Sequence, residues 1–281
     1  MISSKMRTMV SNSSTIRAMF EEGKRLSSIY GEENVFDFSI GNPNVEPPEE
    51  IKEIINKILN EEKPNFIHGY MNNSGYEDVR EAIANHLGKE YNLELKCENI
   101  VMTCGAAGGL NVILKSILDP EDEVIVFAPF FGEYVNYVKN FDGVVTVVSA
   151  NTNSFQLNLE ELKKKISNKT KAIIINSPNN PSGVIYSEET IRELSAILRE
   201  KELEFNKDIY LISDEPYREI IYDNIKVPCI LNYYNNSFIG YSYSKSFANW
   251  RNSHQTADSD GGEGCRGFER TGDFCRLKAG F

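Results

Sequence analysis

The chain has 281 residues, 41% hydrophobic and 25% charged, with a formal net charge of −11. That length suffices for one large or two ordinary domains with an ample core, and the acidic balance argues against nucleic acid or an anionic membrane as main partner. Five cysteines (Cys97, Cys104, Cys229, Cys265, Cys275) lack close metal-type spacing, and no 18 apolar residues run together. The expectation is therefore reduced cytoplasmic thiols, no metal site and no membrane span.

In chain order, a helix is expected around Thr15–Tyr30, then a short strand over Phe36–Asn44 broken by Gly41 and Pro43. From Pro48 a helix carries Ile51, Ile54, Ile55, Ile58 and Leu59 on one face, and a second amphipathic helix carries Val79, Ile83 and Leu87. Between them lies the turn-rich run His68-Gly-Tyr-Met-Asn-Asn-Ser-Gly75. Ile100–Thr103 reads as a strand entering Gly105-Ala-Ala-Gly-Gly109, with an apolar helix over Leu110–Leu118. Strands are then expected at Glu123–Ala128, Val144–Ser149, Lys171–Asn176, Ile209–Ser213 and Phe238–Ser242, alternating with helices. The clearest helix is Glu188–Lys201, with Ser187 as N-cap and acids in its first turn. There is no internal repeat.

Residues 248–281 differ in kind. Four of the five basic residues there are Arg, six of the 34 residues are Gly, and Ile, Val, Met and Tyr are absent. No helical or strand period survives. The expected organisation is an N-terminal arm over 1–45, a large domain over 46–247, and an atypical tail over 248–281 that is disordered or not native to the fold.

Three motifs follow expected strands directly: Asn176-Ser-Pro-Asn-Asn-Pro-Ser-Gly183, Ile212-Ser-Asp-Glu-Pro-Tyr-Arg218 and Tyr241-Ser-Tyr-Ser-Lys-Ser246. Strands alternating with helices predict a mostly parallel α/β sheet, and ligands of such sheets bind outside the carboxyl ends of the strands. An amide, a carboxylate with a phenol, and an amine are thus presented on one rim. That set suits pyridoxal phosphate, offering an amine for its aldehyde, an acid for its ring nitrogen and donors for its ring oxygen.

Together with Gly105-Ala-Ala, Pro129-Phe-Phe-Gly132 and Tyr70-Met-Asn-Asn-Ser-Gly75, these motifs resemble the class I and II aminotransferases, the fold-type I pyridoxal-phosphate enzymes, over about residues 39–247. The aspartate-aminotransferase-like branch is the nearest in character. The resemblance implies the large domain of that fold, with the C-terminal small domain absent after Phe247, as if the reading frame broke there. It implies Lys245 as the lysine that bonds the cofactor and shuttles the substrate proton. Asp214 would face the pyridine nitrogen, Tyr217 and Asn180 would donate to the ring oxygen, and Phe131 would stack on the ring. Gly105, Ala106 and Ala107 would cradle the phosphate at a helix N-terminus, with Ser242 adding a hydroxyl and Tyr70 reaching it across a homodimer interface. Gly41 and Asn180 would meet the substrate carboxylate.

The implied reaction is amino transfer from an aspartate-like amino acid to a 2-oxo acid. A pyridoxal-phosphate lyase or decarboxylase, or a catalytically silent truncated relative, are the alternatives. Two departures weaken activity: the family's phosphate-bracing arginine falls at Ser253, with Arg251 out of register, and its substrate-carboxylate arginine lies downstream of this chain. His68, His86 and His254 share no ligand spacing.

Overall fold

The computed structural model describes residues 2–11, 15–36, 46–223 and 225–246. Gly41, most of the expected 36–44 strand and the 248–281 tail lie outside the described residues. The helices are α1 (Ser4–Ser11), α2 (Thr15–Tyr30), α3 (Glu49–Glu61), α4 (Pro64–Ile67), α5 (Glu77–Tyr91), α6 (Gly105–Ile117), α7 (Tyr134–Asn140), α8 (Leu159–Lys165) and α9 (Glu188–Phe205). The strands are β1 (Glu123–Phe127), β2 (Val144–Val148), β3 (Thr170–Asn176), β4 (Tyr210–Asp214) and β5 (Ser237–Gly240). They form one five-stranded sheet in the order β2-β1-β3-β4-β5, and every pairing is parallel.

Strand periodicity explains the layers. On β1, Ile125 and Phe127 face one side while Val124 and Val126 face the other; on β3, Ile173 and Ile175 alternate likewise with Ala172 and Ile174. Strands buried on both faces read as continuous apolar runs rather than alternating ones. Leu194 and Leu198 of α9 and Leu162 of α8 cover the first face, whereas Leu110 and Leu114 of α6 and Tyr134 and Val138 of α7 cover the second. This is a doubly wound sheet whose order reverses between β1 and β3, where such folds open a crevice at the carboxyl ends of the strands.

All five expected strands from Glu123 onward are present, and so are the helices at 15–30, 49–61, 77–91 and 188–205. Ser187 caps α9 by accepting from the Thr190 N–H at 3.1 Å. Two local expectations change. Residues 100–103 are not a strand, and α6 begins at Gly105 rather than Leu110. Gly105 takes φ +72°, a conformation that glycine adopts without strain, and Ala106 and Ala107 join the first helical turn. The apolar face of α3 also stays incompletely covered: none of its residues is buried and Leu59 is 54% exposed.

Candidate active site

Register builds the floor of the site. Asn176, the last residue of β3, pairs with Asp214, the last of β4, which pairs with Gly240, the last of β5. Counting by two from Ile174, Ile212 and Phe238 places all three on the face covered by α6 and α7. Asn176 Nδ2 donates to the Asp214 carbonyl at 2.7 Å, which locks the two strand ends together. Asn176 Oδ1 accepts from the Asn180 N–H at 2.6 Å and so fixes the loop after β3.

Asp214 is only 6% exposed. Tyr134, the first residue of α7, donates its hydroxyl to Asp214 Oδ2 at 2.6 Å. The other oxygen, Oδ1, is buried with no hydrogen-bond partner among the described residues. Burial pushes the Asp214 carboxyl up to about 6, against the opposing effect of the Tyr134 hydrogen bond. A buried acceptor without a partner is costly in a finished protein, so it marks a place where a ligand donor fits.

Gly240 leaves room beside that oxygen: a Cβ there would stand 3.9 Å from Asp214 Oδ1 and 3.8 Å from Leu110 in the second turn of α6. The same packing brings the N-terminal half of α6 against the end of β5. At its start, a Cβ on Gly105 would meet nothing within 4 Å, so there is open space on that side of the turn, while the Gly105 N–H itself donates to the Thr103 carbonyl at 2.9 Å.

The loops add the rest. Asn180 Nδ2 donates to the Tyr217 hydroxyl at 3.4 Å, so these two expected partners meet and the phenol keeps its proton to donate. Burial also raises the Tyr217 phenol above its ordinary value. Phe131 sits edge-on to Tyr134, ring centres 5.6 Å apart, one ring away from the Asp214 carboxylate. Lys245 is half-buried in the helical turn 243–246. On either side of it, Ser242 Oγ donates to Ser244 Oγ at 2.9 Å and Tyr241 donates to Ser246 Oγ at 3.0 Å. Tyr70 stands apart, fully exposed on the turn before α5.

Thus Asn180 and Tyr217 are in direct contact, and Asp214 shares a strand end with Asn176. Tyr134, Asn176 and Gly240 are the members that sequence reasoning missed. Asn176 carried a signal, since it opens the quoted loop motif. Tyr134 carried none, because its partner is 80 residues away.

The chemistry of this floor fits pyridoxal phosphate: a buried carboxylate oxygen without a partner suits a protonated ring nitrogen, and the Asn180 amide and Tyr217 phenol, in contact with each other, suit its ring oxygen. Among the described residues, no group of His, Cys, Asp and Glu could hold a metal, and no helix is long and apolar enough to cross a membrane.

The sequence pattern of the family described as "Aminotransferase class I and II" matches residues 33–251, four residues beyond the limit expected from the motifs. The aspartate aminotransferase of Pyrococcus horikoshii is 32% identical over 249 residues, covering 87% of this chain and 60% of that protein. The aspartate aminotransferase of Bacillus subtilis is 33% identical over 214 residues, covering 76% and 51%. A crystal structure of an aminotransferase from Eubacterium rectale superposes with a TM-score of 0.84 at 35% identity, covering 99% of this chain and 74% of that one. The aspartate aminotransferase of Thermus thermophilus with maleate, at 24% identity and TM-score 0.77, shares the fold. The chain spans about half the length of the curated relatives it matches. With the motif order, the parallel sheet and the sequence match agreeing, the chain belongs to the class I and II aminotransferases, a pyridoxal-phosphate-dependent family of the fold-type I α/β architecture.

Proposed function

We propose that this chain is the cofactor-binding large domain of an aminotransferase that moves an amino group from an aspartate-like amino acid to a 2-oxo acid. The observation that carries the reading is the unpartnered, buried Oδ1 of Asp214 at the carboxyl end of β4, in register with Asn176 and Gly240. When bound, pyridoxal phosphate supplies an electron-accepting ring. Asp214 would hold a proton on the ring nitrogen, with Tyr134 fixing the carboxylate plane and Asn176 fixing its strand. Asn180 and Tyr217 would donate to the ring oxygen, and Phe131 would lie against the ring face. Gly105, Ala106, Ala107 and Ser242 would hold the phosphate. Lys245 would anchor the cofactor and, once displaced by substrate, carry the proton between the substrate Cα and the cofactor carbon C4′. Gly41 and Asn180 would orient the substrate carboxylate.

Two copies are part of the proposal, since Tyr70 faces solvent and could serve a phosphate only in a neighbouring subunit. A cytoplasmic site of action accords with the free thiols of Cys97, Cys104 and Cys229. The atypical 248–281 segment is proposed not to belong to this fold, on its composition alone.

The test is chemical trapping. Incubation with pyridoxal phosphate, borohydride reduction and peptide mass mapping should place the label on Lys245. Labelling of another lysine, or equal labelling of Lys245→Ala, would overturn the assignment. Tyr134→Phe, which removes a hydrogen bond to a buried carboxylate, should weaken cofactor binding about tenfold or more in spectrophotometric titration. Tyr70→Phe should weaken it only under conditions where sedimentation shows a dimer.

A further inference from the structure

Directly after Asp214, Glu215 is fully buried and pairs with Arg218, itself only 7% exposed. The arginine also lies over the ring of Tyr91, the last residue of α5, at 4.5 Å, with Cys229 beside it. Burial pushes the Glu215 carboxyl up to about 7 despite the adjacent guanidinium. A pair taken so far out of water is weak evidence of stabilisation, because desolvation offsets most of the attraction. Its position is more informative than its energy.

The pair spans the turn that carries Tyr217. The Glu215 N–H donates to the Gly240 carbonyl at 2.8 Å, extending the β4–β5 ladder one step past Asp214. Within the turn, the Arg218 N–H donates to the Glu215 carbonyl at 3.2 Å, and the Ile220 N–H to the Tyr217 carbonyl at 2.8 Å. One end of the turn is therefore tied to the site floor, the other to α5 through Tyr91. Between them the Tyr217 phenol reaches Asn180 at 3.4 Å, a long contact that leaves the ring dependent on its backbone for placement.

We propose that the Glu215–Arg218 pair is a positioning device that sets the Tyr217 phenol against Asn180. The inference rests on the reading of Tyr217 as a cofactor donor, but its first test does not. In protein labelled with 3-fluorotyrosine, the Tyr217 fluorine resonance is identified by its loss in Tyr217→Phe. Glu215→Gln and Arg218→Met should each shift or broaden that line while leaving in place the line of Tyr186, a buried tyrosine whose hydroxyl accepts from Asn179 Nδ2 at 3.3 Å. Because either single variant strands a buried charge and could fail to fold, Glu215→Leu with Arg218→Met removes both charges together. That double variant should fold and still move the Tyr217 line.

The second readout is a cycle in cofactor affinity. Glu215→Gln should cost about tenfold in the parent but less than about twofold in a Tyr217→Phe background, since the two changes act on one contact. An unchanged Tyr217 line in a folded double variant would overturn the proposal. So would an equal tenfold loss in both backgrounds, which would mean that the pair acts through Asp214 or through stability alone. If the parent does not take up pyridoxal phosphate at Lys245, the functional reading fails, and the fluorine line still decides the role of the pair.

Discussion

Asp214→Asn should lower transamination by about 10²–10³-fold while raising the unfolding temperature of the cofactor-free chain. The first effect follows because an amide holds no proton on the pyridine nitrogen, so the preorganised charge that favours substrate deprotonation is lost. The second follows from burial. In the folded chain the carboxyl is raised from 3.8 to about 6. The folded state therefore binds more protons than the unfolded one between those values, and stability falls as pH rises from about 4 to about 6. Above pH 6 the full cost remains, roughly 1–3 kcal/mol for a shift of this size. Asparagine escapes it and keeps an oxygen to accept the Tyr134 hydroxyl. The difference in unfolding temperature between variant and parent should be small near pH 4 and reach several degrees at pH 7. Equal pH profiles would show that the carboxylate is not strained, and undiminished turnover would remove Asp214 from the mechanism.

The 281-residue polypeptide expressed by itself should turn over aspartate with 2-oxoglutarate at least about 10³-fold more slowly than a version whose residues after Phe247 are replaced by an in-frame family C-terminus. Bidentate pairing of a substrate carboxylate with a fixed arginine is a strong, orienting interaction, and on the resemblance the family C-terminus would supply the arginine for that task. On the proposed reading, Ser253 also falls where the resemblance implies an arginine bracing the phosphate. Apolar surface is a further burden: Ile221, Tyr222 and Ile225 are exposed on the loop after the Tyr217 turn, and such patches favour association. Each loss is on the order of a few kcal/mol. Comparable turnover by both proteins would show that residues 248–281 substitute for the family C-terminus.

Much of this was legible in the sequence, and the reason is local. Strands buried on both faces announce themselves as runs such as Ala172–Ile175, and a polar motif directly after each run must fall at the carboxyl edge of a parallel sheet. That rule predicts one rim for Asn180, Asp214, Tyr217 and Lys245; the structure brings Asn180 against Tyr217 and sets Asp214 at the end of β4. The start of α6 was misplaced because Gly105, Gly108 and Gly109 are poor helix formers. A tertiary contact overrides that preference where Leu110 and Leu114 pack on the sheet. Tyr134 and the Glu215–Arg218 pair were illegible for a different reason. A tyrosine opening a short helix and a charged turn after a strand are ordinary in sequence, and only the fold reveals the partners that give them meaning.

The register of Asn176, Asp214 and Gly240 also has a consequence for biogenesis. The floor of the site is the hydrogen-bond ladder itself, and β5, its last plank, lies at the sheet's edge. On the ribosome the helix start at Gly105 emerges long before β5 and Lys245 do. On the proposed reading, a nascent chain therefore carries the phosphate-binding segment well before it has a complete place for a ring. On that reading, secure capture of the cofactor has to wait until β5, the last strand among the described residues, has zipped onto β4. Holding the ligand would in that sense report that β5 has joined the sheet.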